Sequence, residues 1–386
     1  MKETVFITDG QWRKTLAAVR ALGREGFIVW VGDKWKLSTS FFSKYCKRKV
    51  IYPDPVKYHE KFRQFMLDFI SSERPDVTIP ADDETVKFFS KNKDILQEYT
   101  KIPVANYETI ELANNKAEII QIAKKIGIPI PKTSIVNDVE SIDIPSNFPL
   151  IVKPNLGSGS RGMFVVNDEE QLFNAVQEIT KKGMIALVQE KIPMEGAGYG
   201  VSALLNWKSE VRAIFVHKRL REYPVRGGPS TLRISVKYPE LAKLGVKLLK
   251  YIGFQGAAMV EFKMDPRDNT PKLMEINPRL WGSLQLAIAS GVNFPLYLVK
   301  LALDGDVEEV TDYKEGIIAR WLLPGDILHF LSNPERFSLK PSFFKFFGKN
   351  LTYDIIDFRD PIPIFIRIFN MIKFMFNPEM RKIVFR

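Results

Sequence analysis

A lysine that precedes a glycine-rich turn is the first pattern in this sequence that suggests chemistry. Lys153 ends a short apolar run, and Gly157, Gly159 and Gly162 lie in the turn that follows it. Glycines permit the positive φ angles with which consecutive backbone N–H groups face phosphate oxygens. The order differs from the common phosphate-binding loop, in which the lysine follows the glycines. A strand and hairpin with a flexible turn is the alternative interpretation.

Two acids and an amide later in the chain have the spacing of a divalent-cation site. Glu275 and Asn277 are two residues apart in a predicted strand, so their side chains share one face. A hairpin with the preceding strand would place Glu261 beside them. Such oxygen ligands suit Mg²⁺ that also keeps nucleotide phosphates as ligands. The alternative is a surface charge pair, in which Arg279 closes a salt bridge that contributes little stability.

Arginines surround a Gly-Gly turn at residues 227–228. Arg221, Arg226 and Arg233 lie within seven residues of this turn. A guanidinium group matches the geometry of a carboxylate, so these side chains are candidates for holding a carboxylate substrate. An exposed basic loop without a ligand is the alternative.

The first hundred residues alternate short strands with helices. This order is typical of a parallel, doubly wound α/β sheet. Asp82 and Asp83 follow the last of these strands, at the sheet edge where such folds bind ligands. We therefore predict that they contact an amine, with a helix N-cap as the alternative. The predicted strands are Thr4–Ile7, Phe27–Val31, Val50–Tyr52 and Val77–Ile79.

The middle of the chain has a different order, with a helix at Lys116–Ile126 followed mainly by strands. Helices are predicted at Glu169–Thr180 and Glu240–Tyr251. This mixture predicts α+β architecture rather than a second parallel sheet. The predicted strands are Leu150–Lys153, Met163–Val166, Ala186–Gln189, Gly200–Leu205, Arg212–His217, Ala258–Met264 and Lys272–Ile276.

Taken together, these residues resemble the ATP-grasp superfamily, in particular its carbamoyl-phosphate-synthase-like branch and carboxylate–amine ligases. The resemblance covers about residues 1–305 and is most specific in LMEINPRLWGSLQLAIASGVNFP, residues 273–295. It implies an α/β chain (α+β overall) with an ATP-grasp fold behind a parallel pre-ATP-grasp domain. The expected boundaries are 1–112 for the pre-ATP-grasp domain, 113–310 for the ATP-grasp domain (113–187 the small lid subdomain, 188–310 the large one) and 311–386 for a Phe-rich C-terminal appendage.

The resemblance also implies roles for individual residues. Glu261, Glu275 and Asn277 would hold Mg²⁺, with Mn²⁺ as the alternative ion. The expected catalytic residues by this resemblance are Arg279, which would stabilise the transferred phosphoryl group, and Lys153. Arg226 is added as a catalytic candidate from the chemistry of the arginines around the Gly-Gly turn, a segment that departs from the family pattern. The expected ATP-binding residues are Lys116, Lys153, Gly157, Ser158, Gly159, Ser160, Gly162, Gln189, Glu190, Lys191, Ile192 and Glu195.

One position departs from the family pattern. Many relatives carry an acid before the strand that follows the adenine-binding hinge, where it contacts the ribose. Gly198 stands there in this chain, and Glu195 is the nearest acid. The residue that contacts the ribose is therefore not evident from the sequence.

The predicted function is an ATP-dependent carboxylate–amine ligase that forms an amide through an acyl phosphate and releases ADP and phosphate. A carbamoyl-phosphate- or carboxyphosphate-forming enzyme is one alternative. An ATP-binding regulatory or scaffold protein with a degenerate site is the non-enzymatic alternative. The expected partners are small-molecule carboxylates and amines, with a homodimer left open.

The composition excludes several other classes of function. The formal charge is +11, yet the basic residues are dispersed and no zinc-finger or RNP-type motif accompanies them, so nucleic-acid binding is not expected. Cys46 is the single cysteine and there are three histidines, which argues against a disulfide framework and a zinc site. No apolar run reaches about 18 residues without a charge. A cytoplasmic protein is the expectation.

The last 66 residues hold 12 of the 28 phenylalanines. Within them, PIPIFIRIFNMIKFMF (residues 361–376) carries Arg367, Asn370 and Lys373 along one helical stripe. A helix that is apolar over most of its circumference is buried in protein or lies in a membrane interface. Burial in the core or in a dimer is the favoured interpretation. Peripheral membrane contact through residues 361–386 is the alternative.

Overall fold

A parallel sheet begins the chain in the structure, a computed structural model that describes residues 2–142, 147–157, 162–225 and 227–375. Its strand order is β3-β2-β1-β4, as predicted for a doubly wound domain. Buried Val5 and Leu22 belong to the core between this sheet and the helix after β1. The elements are β1 Thr4–Ile7, α1 Arg13–Arg24, β2 Ile28–Asp33, β3 Cys46–Ile51, α2 His59–Glu73, β4 Val77–Ile79, α3 Asp83–Lys91, α4 Lys93–Leu96 and α5 Tyr107–Asn114.

A second, antiparallel sheet follows and has the order β5-β8-β6-β7. Its α7 helix begins where the Asp168 side chain accepts a hydrogen bond from the Gln171 backbone N–H, at 2.8 Å. The apolar face of α7 packs on Val152 and Val188 of the sheet. The elements are α6 Lys116–Lys125, β5 Thr133–Val136, β6 Leu150–Pro154, β7 Phe164–Val166, α7 Glu169–Thr180 and β8 Ala186–Glu190.

The third sheet has seven strands in the order β13-β12-β9-β10-β11-β14-β15. Trp281 and Phe294, which follow β13, pack in the same core as Val5 and Leu22, so this sheet and the first one share their interior. The elements are β9 Gly198–Leu205, β10 Val211–Glu222, β11 Ser230–Ser235, α8 Pro239–Tyr251, β12 Gly256–Asp265, β13 Thr270–Asn277, α9 Leu284–Ser290, α10 Phe294–Asp304, β14 Ile318–Arg320, α11 Ile327–Ser332, β15 Leu351–Tyr353 and α12 Ile362–Met375.

The C-terminal segment is joined to both the first and the third sheet. Strands β14 and β15 extend the seven-stranded sheet through pairing with β11. Asp360 is buried and accepts hydrogen bonds from Arg20 at 2.9 Å and from the Ser43 hydroxyl at 2.7 Å. The structure therefore does not confirm a separate Phe-rich appendage. The domain boundaries themselves stay predictions.

No single helix among the described residues is long and apolar enough to cross a membrane. Helices α9 and α10 pass that test only as a pair bent by 85°, by length and composition. Buried Leu284, Leu286 and Leu298 from these two helices lie in the shared core.

Candidate active site

The two predicted acids lie side by side on the β12–β13 hairpin. Glu261 is the register partner of Glu275, and Asn277 is two residues further along the same strand. The Asn277 amide donates a hydrogen bond to Glu261 at 3.1 Å. Burial raises the pKa of Glu261, and the charge of Glu275 adds to this effect, while the Arg219 guanidinium opposes it. The structure thus brings the three predicted metal ligands together.

Two lysines from other elements face this hairpin. Lys116 begins α6, and its ammonium nitrogen is 3.6 Å from a carboxylate oxygen of Glu275. Lys153 extends from β6 of the small sheet. Burial lowers the pKa of Lys153 to about 8, opposed by Glu275 and reinforced by the neighbouring charge of Lys116. The site therefore combines two acids with two cations that originate from two different sheets and a helix terminus.

Arg219 is a further site residue that the sequence analysis did not single out. Its guanidinium, on β10, is hydrogen-bonded to Glu261 and lies 3.7 Å from Glu222. A Cβ atom at Gly198 would lie 2.9 Å from the Arg219 Cδ, so the glycine leaves room for this side chain. The absence of an acid at position 198 could have pointed to Arg219, because the glycine leaves free the space that the arginine side chain occupies.

Gly200 likewise leaves room for His217, a further side chain of β10 on the same face of the sheet. A Cβ atom there would lie 2.3 Å from the His217 ring. His217 is fully enclosed, and burial lowers its pKa well below the ordinary value, with the charges of Arg219 and Arg233 adding to the effect. A neutral histidine therefore lies beneath the acid hairpin.

The predicted adenine hinge lies at the end of β8. Gln189 is buried and donates to the Thr133 hydroxyl at 2.8 Å. Glu190 accepts from Arg267 at 2.8 Å, and the Ile192 carbonyl accepts from Lys263 at 3.3 Å. Lys191 and Glu195 lie in the loop between β8 and β9, where Glu195 is exposed. This segment connects the small sheet to the large one, which is where a hinge is expected.

Only the ends of the glycine-rich turn belong to the described residues. Gly157 has a φ of +114° and Gly162 a φ of +71°, a conformation that favours glycine. The Gly157 carbonyl accepts a hydrogen bond from Lys116. The predicted positions Ser158, Gly159 and Ser160 lie outside the described residues.

The first sheet supplies acids to the other end of the site. Arg279 donates to Asp83 at 2.5 Å and lies 3.9 Å from Asp82. Asp82 also accepts from Lys14 at 2.7 Å and from the Trp12 indole at 3.0 Å. Asp82 stands at the N-cap of α3, which confirms the alternative interpretation, and its contact with an amine stays a prediction. The edge where β1 and β4 end therefore faces Arg279.

The three arginines around the Gly-Gly turn occupy different places. Arg226 lies outside the described residues. Arg221 is buried against Asp326 at 2.8 Å and lines a cavity of about 260 Å³. Arg233 is hydrogen-bonded to buried Asp354, and as the register partner of Arg219 it lies on the sheet face that carries the acids. Because Arg221 pairs with the neighbour of Arg233, it lies on the opposite face and away from the acids.

The chemistry of the donor set fits a magnesium ion bound together with phosphates. No group of three or more His, Cys, Asp or Glu side chains that would enclose a metal occurs in the described part of the chain. Two carboxylates and one amide leave most positions around a hard cation to other oxygen ligands. The guanidinium of Arg219 lies at Glu261 and the ammonium of Lys116 lies at Glu275, so each carboxylate already has a positive charge beside it. A metal cation would interact with the same carboxylates.

Two family models match this part of the chain. The model described as the ATP binding domain of the carbamoyl-phosphate synthase L chain matches residues 104–197. The model described as ATP-grasp in the biosynthetic pathway with Ter operon matches residues 186–323. Over residues 104–323 the chain is therefore similar to ATP-grasp enzymes. The two matches together contain both lysines, both acids and Arg279, so the ATP-grasp region is the one that carries the site.

Two known ligases are similar to this chain, one in sequence and one in fold. The D-aspartate ligase of Enterococcus faecium is 24% identical over 266 residues, which are 64% of this chain and 63% of that protein. The L-amino acid ligase from Bacillus licheniformis superposes with a TM-score of 0.61 at 18% identity, over 78% of this chain and 74% of the other.

A third relative was solved with a nucleotide. The biotin carboxylase domain of the Hydrogenobacter thermophilus 2-oxoglutarate carboxylase, in complex with MgADP and bicarbonate, superposes with a TM-score of 0.67 at 18% identity, over 82% of this chain and 73% of the other. Likeness at this level confirms the predicted ATP-grasp fold. The chain spans less than two thirds of the D-aspartate ligase, so its reaction is a separate question.

Proposed function

We propose that this protein is an ATP- and Mg²⁺-dependent carboxylate–amine ligase that forms an amide through an acyl phosphate and releases ADP and phosphate. The observation that carries the proposal is the convergence of Lys116 and Lys153 on Glu275. Cations placed around an acid hairpin suit the charge of a transferring phosphoryl group. The names of the D-aspartate ligase and the L-amino acid ligase support a reaction that joins an amino acid to a second molecule.

In the first step, a carboxylate oxygen of the substrate attacks the γ-phosphorus of ATP, and the bond from that phosphorus to the bridging oxygen of ADP breaks. A carboxylate is a poor acyl donor, and this transfer converts one of its oxygens into part of a leaving group. Lys116 and Lys153 stabilise the charge on the phosphates. Arg279 holds the transferred phosphoryl group, because it lies between the acid hairpin and the acidic edge of the first sheet.

Glu261, Glu275 and Asn277 are the residues that would hold Mg²⁺ or Mn²⁺. When bound, the ion would offset negative charge on the phosphate oxygens. The remaining predicted nucleotide ligands are Gly157, Ser158, Gly159, Ser160, Gly162, Gln189, Glu190, Lys191, Ile192 and Glu195.

In the second step, a neutral amine nitrogen attacks the acyl carbon, the bond from that carbon to the phosphate oxygen breaks, and the nitrogen loses a proton. We assign Asp82 to the amine and its proton, because Asp82 lies 3.9 Å from Arg279 at the substrate end of the site. Asp83 is held by Arg279 and therefore orients the guanidinium. Arg226 keeps its predicted role as a loop contact to the substrate.

A carboxyphosphate-forming reaction is the second candidate, because a structure of similar fold was solved with MgADP and bicarbonate. The two candidates differ in what releases ADP. A ligase releases ADP when a carboxylate and an amine are both present, whereas a carboxyphosphate-forming enzyme releases it with bicarbonate alone.

The test is a screen for ADP release over pairs of carboxylates and amines, with Glu275→Gln as the inactive control. Hydroxylamine should trap the acyl phosphate as a hydroxamate. Formation of AMP and pyrophosphate would replace the acyl phosphate with an adenylate. Saturable ATP binding without turnover over a broad set of substrates would favour the regulatory protein.

A further inference from the structure

Two guanidinium groups share one buried carboxylate beside the substrate end of the site. Arg13, at the start of α1, lies 3.3 Å from Asp354, and Arg233 is hydrogen-bonded to the same carboxylate. Both arginines also approach the Gly282 carbonyl, at 2.8 Å and 3.5 Å. Gly282 is three residues beyond Arg279, so this cluster adjoins the residue assigned to the phosphoryl group.

A third arginine reaches the cluster from the C-terminal helix. Arg367 lies on α12, which packs on the segments 39–42 and 322–326. Arg13 stacks on the Trp321 ring at 3.9 Å, next to the second of these segments. Burial lowers the pKa of Arg13 to about 9. The charge of Asp354 opposes this shift, and the charges of Arg233 and Arg367 reinforce it.

The polar atoms of this cluster that lack a hydrogen bond are mainly donors, and Asp354 Oδ2 is the one acceptor among them. Arg233 is fully buried, yet its Nε and Nη1 atoms are enclosed without a hydrogen-bond partner. The enclosed Nε of Arg367 also has no partner. The guanidinium groups of Arg13 and Arg233 contact the Asp354 carboxylate, and Arg367 adds a third positive charge near Arg13. Positive charge therefore exceeds negative charge in a desolvated place. A bound anion would satisfy the free donors and neutralise this charge.

We propose that Arg13, Arg233 and Arg367 bind a second anionic group of the carboxylate substrate. The substrate then carries at least two negative charges at neutral pH, with one carboxylate that reacts and a second carboxylate or a phosphate that anchors it. The proposal rests on the proposed ligase function for the identity of the molecule, but the anion site itself does not. Through Arg367, the C-terminal helix α12 contributes to the selection of the carboxylate substrate.

Binding of small anions to the full chain tests the site without turnover. Succinate and inorganic phosphate are the probes for the two anchor chemistries, and butyrate is the monoanionic control. Calorimetric titrations in saturating ADP and EDTA keep the probes away from the nucleotide site. We expect saturable binding of one probe and at least tenfold weaker binding of butyrate.

Variants of α12 provide the matched comparison. Arg367→Ala should weaken binding of the preferred probe about tenfold, equivalent to about 1.4 kcal/mol. Arg367→Lys should recover part of this loss, and Lys373→Ala, an exposed charge on the same helix, should have no effect. Absence of binding, equal affinity for butyrate, or unchanged affinity in Arg367→Ala would overturn the proposal.

The ligase assay separates this proposal from the one on which it rests. With an active substrate pair, Arg367→Ala should raise the KM for the carboxylate while kcat changes little. If no substrate pair releases ADP but the probe still binds in an Arg367-dependent manner, the function fails and the anion site stands.

The outer face of α12 carries an independent observation. Asn370 is turned inward and donates to the Leu37 carbonyl at 2.9 Å, on the same stripe as Arg367. The apolar residues at spacings of three and four point to solvent. Their exposed fractions are 53% for Ile362, 67% for Phe365, 53% for Phe369 and 49% for Ile372. Arg367 and Asn370 therefore face inward, whereas Lys373 at the end of the same stripe and the apolar face are exposed.

The surroundings of this face are aromatic and basic. The Asn370 bond holds the 34–37 loop against the helix, and Trp35 in that loop is 53% exposed. Lys36 and Lys373 are exposed beside these apolar groups. Exposed aromatic, aliphatic and basic side chains in one surface are typical of a helix that lies in a lipid interface.

The size of the face argues against a second copy of the chain. A 14-residue helix is about 21 Å long and about 10 Å wide, so its outer face covers about 200 Å². A stable protein interface needs about 800 Å² from each partner. From this difference and the basic rim, we infer that the outer face of α12 docks on an anionic lipid surface.

Co-sedimentation with vesicles tests the docking face. The full chain should bind vesicles of phosphatidylcholine with about one third phosphatidylglycerol more strongly than pure phosphatidylcholine, and salt should weaken the binding. The Phe365→Ser/Phe369→Ser variant should lose at least tenfold in vesicle affinity. Phe347→Ser, which removes an 84% exposed phenylalanine elsewhere, should retain it.

Three outcomes would overturn the inference. The first is no binding of the full chain to anionic vesicles. The second is equal binding of the double variant and of Phe347→Ser. The third is a dimer in light scattering that the double variant dissociates, because the face would then belong to a second copy.

Discussion

Raising the pH through 8 should weaken ATP binding by this protein, because Lys153 loses its proton there. Burial lowers the pKa of Lys153 to about 8, although Glu275 opposes the shift. A group with this pKa is about half protonated at pH 8 and about one tenth protonated at pH 9, so kcat/KM for ATP should fall about fivefold between these two pH values. The bound phosphates favour the charged lysine, so kcat should fall only at a higher pH than kcat/KM.

The conservative variant isolates the lysine from other titrating groups. Arginine keeps its charge over this whole range, so Lys153→Arg should lose the alkaline decline even if its activity is lower. ADP release and the Kd of a fluorescent ATP analogue, both measured from pH 6 to pH 10, are the assays. A decline near pH 8 that persists in Lys153→Arg would refute the assignment of the titration to this side chain.

The lowered pKa of Lys153 also makes the free energy of unfolding depend on pH, in the opposite direction to ATP binding. The folded-state pKa of about 8 lies below the ordinary 10.5, so the unfolded chain binds more protons between these values. Stability should therefore rise with pH across this window, and the cost of the charged lysine is fully present below pH 8. The difference of about 2.5 units corresponds to at most about 3 kcal/mol. Lys153→Met should accordingly be more stable than the parent at pH 7 in urea titrations, and a loss of stability would contradict the assigned burial.

Three further variants test the acid, the C-terminal contact and the close approach of two strands. Glu275→Gln should abolish ADP release with an unchanged far-UV circular dichroism spectrum; an unfolded variant would make this acid structural. Asp360→Ala removes the partner of buried Arg20 and should lower the free energy of unfolding by about 3–5 kcal/mol in urea, and a change below 1 kcal/mol would refute the importance of this contact. Gly200→Ala should lower the free energy of unfolding by about 1–3 kcal/mol in urea because its Cβ would lie 2.3 Å from the His217 ring, and an unchanged value would contradict this close approach.

The parts of the fold that sequence reasoning recovered are those that local patterns determine. The alternation of strands and helices predicted the first sheet, with ends within a few residues of the observed ones. The period of two along β13 placed Glu275 and Asn277 together, and the short turn to β12 placed Glu261 opposite. These relations depend on neighbours in sequence, so a single sequence contains them.

The missing parts depend on contacts between distant segments. Strands β14 and β15 have three residues each and become strands through pairing with β11 and with each other. Arg219 lies on a different strand from Gly198, so the missing acid at position 198 points to this arginine only once the strand pairing is known. On α12 the Arg367 Nε is enclosed while Phe365 and Phe369 are exposed, which is the reverse of a usual amphipathic helix and is not evident from the sequence pattern.

The arrangement of cations explains why so much of the chain is needed to form one site. Lys153 comes from the small sheet, Arg219 from the large sheet, and Arg13 from the first sheet's α1 helix. Like charges repel over such short distances, and isolated burial of each would be unfavourable. Acids from two segments, Glu261 and Asp354, offset part of this charge. The remaining excess of positive charge is available to anionic ligands, so the same surplus that lowers the stability of the empty protein supplies the affinity for phosphate and carboxylate groups.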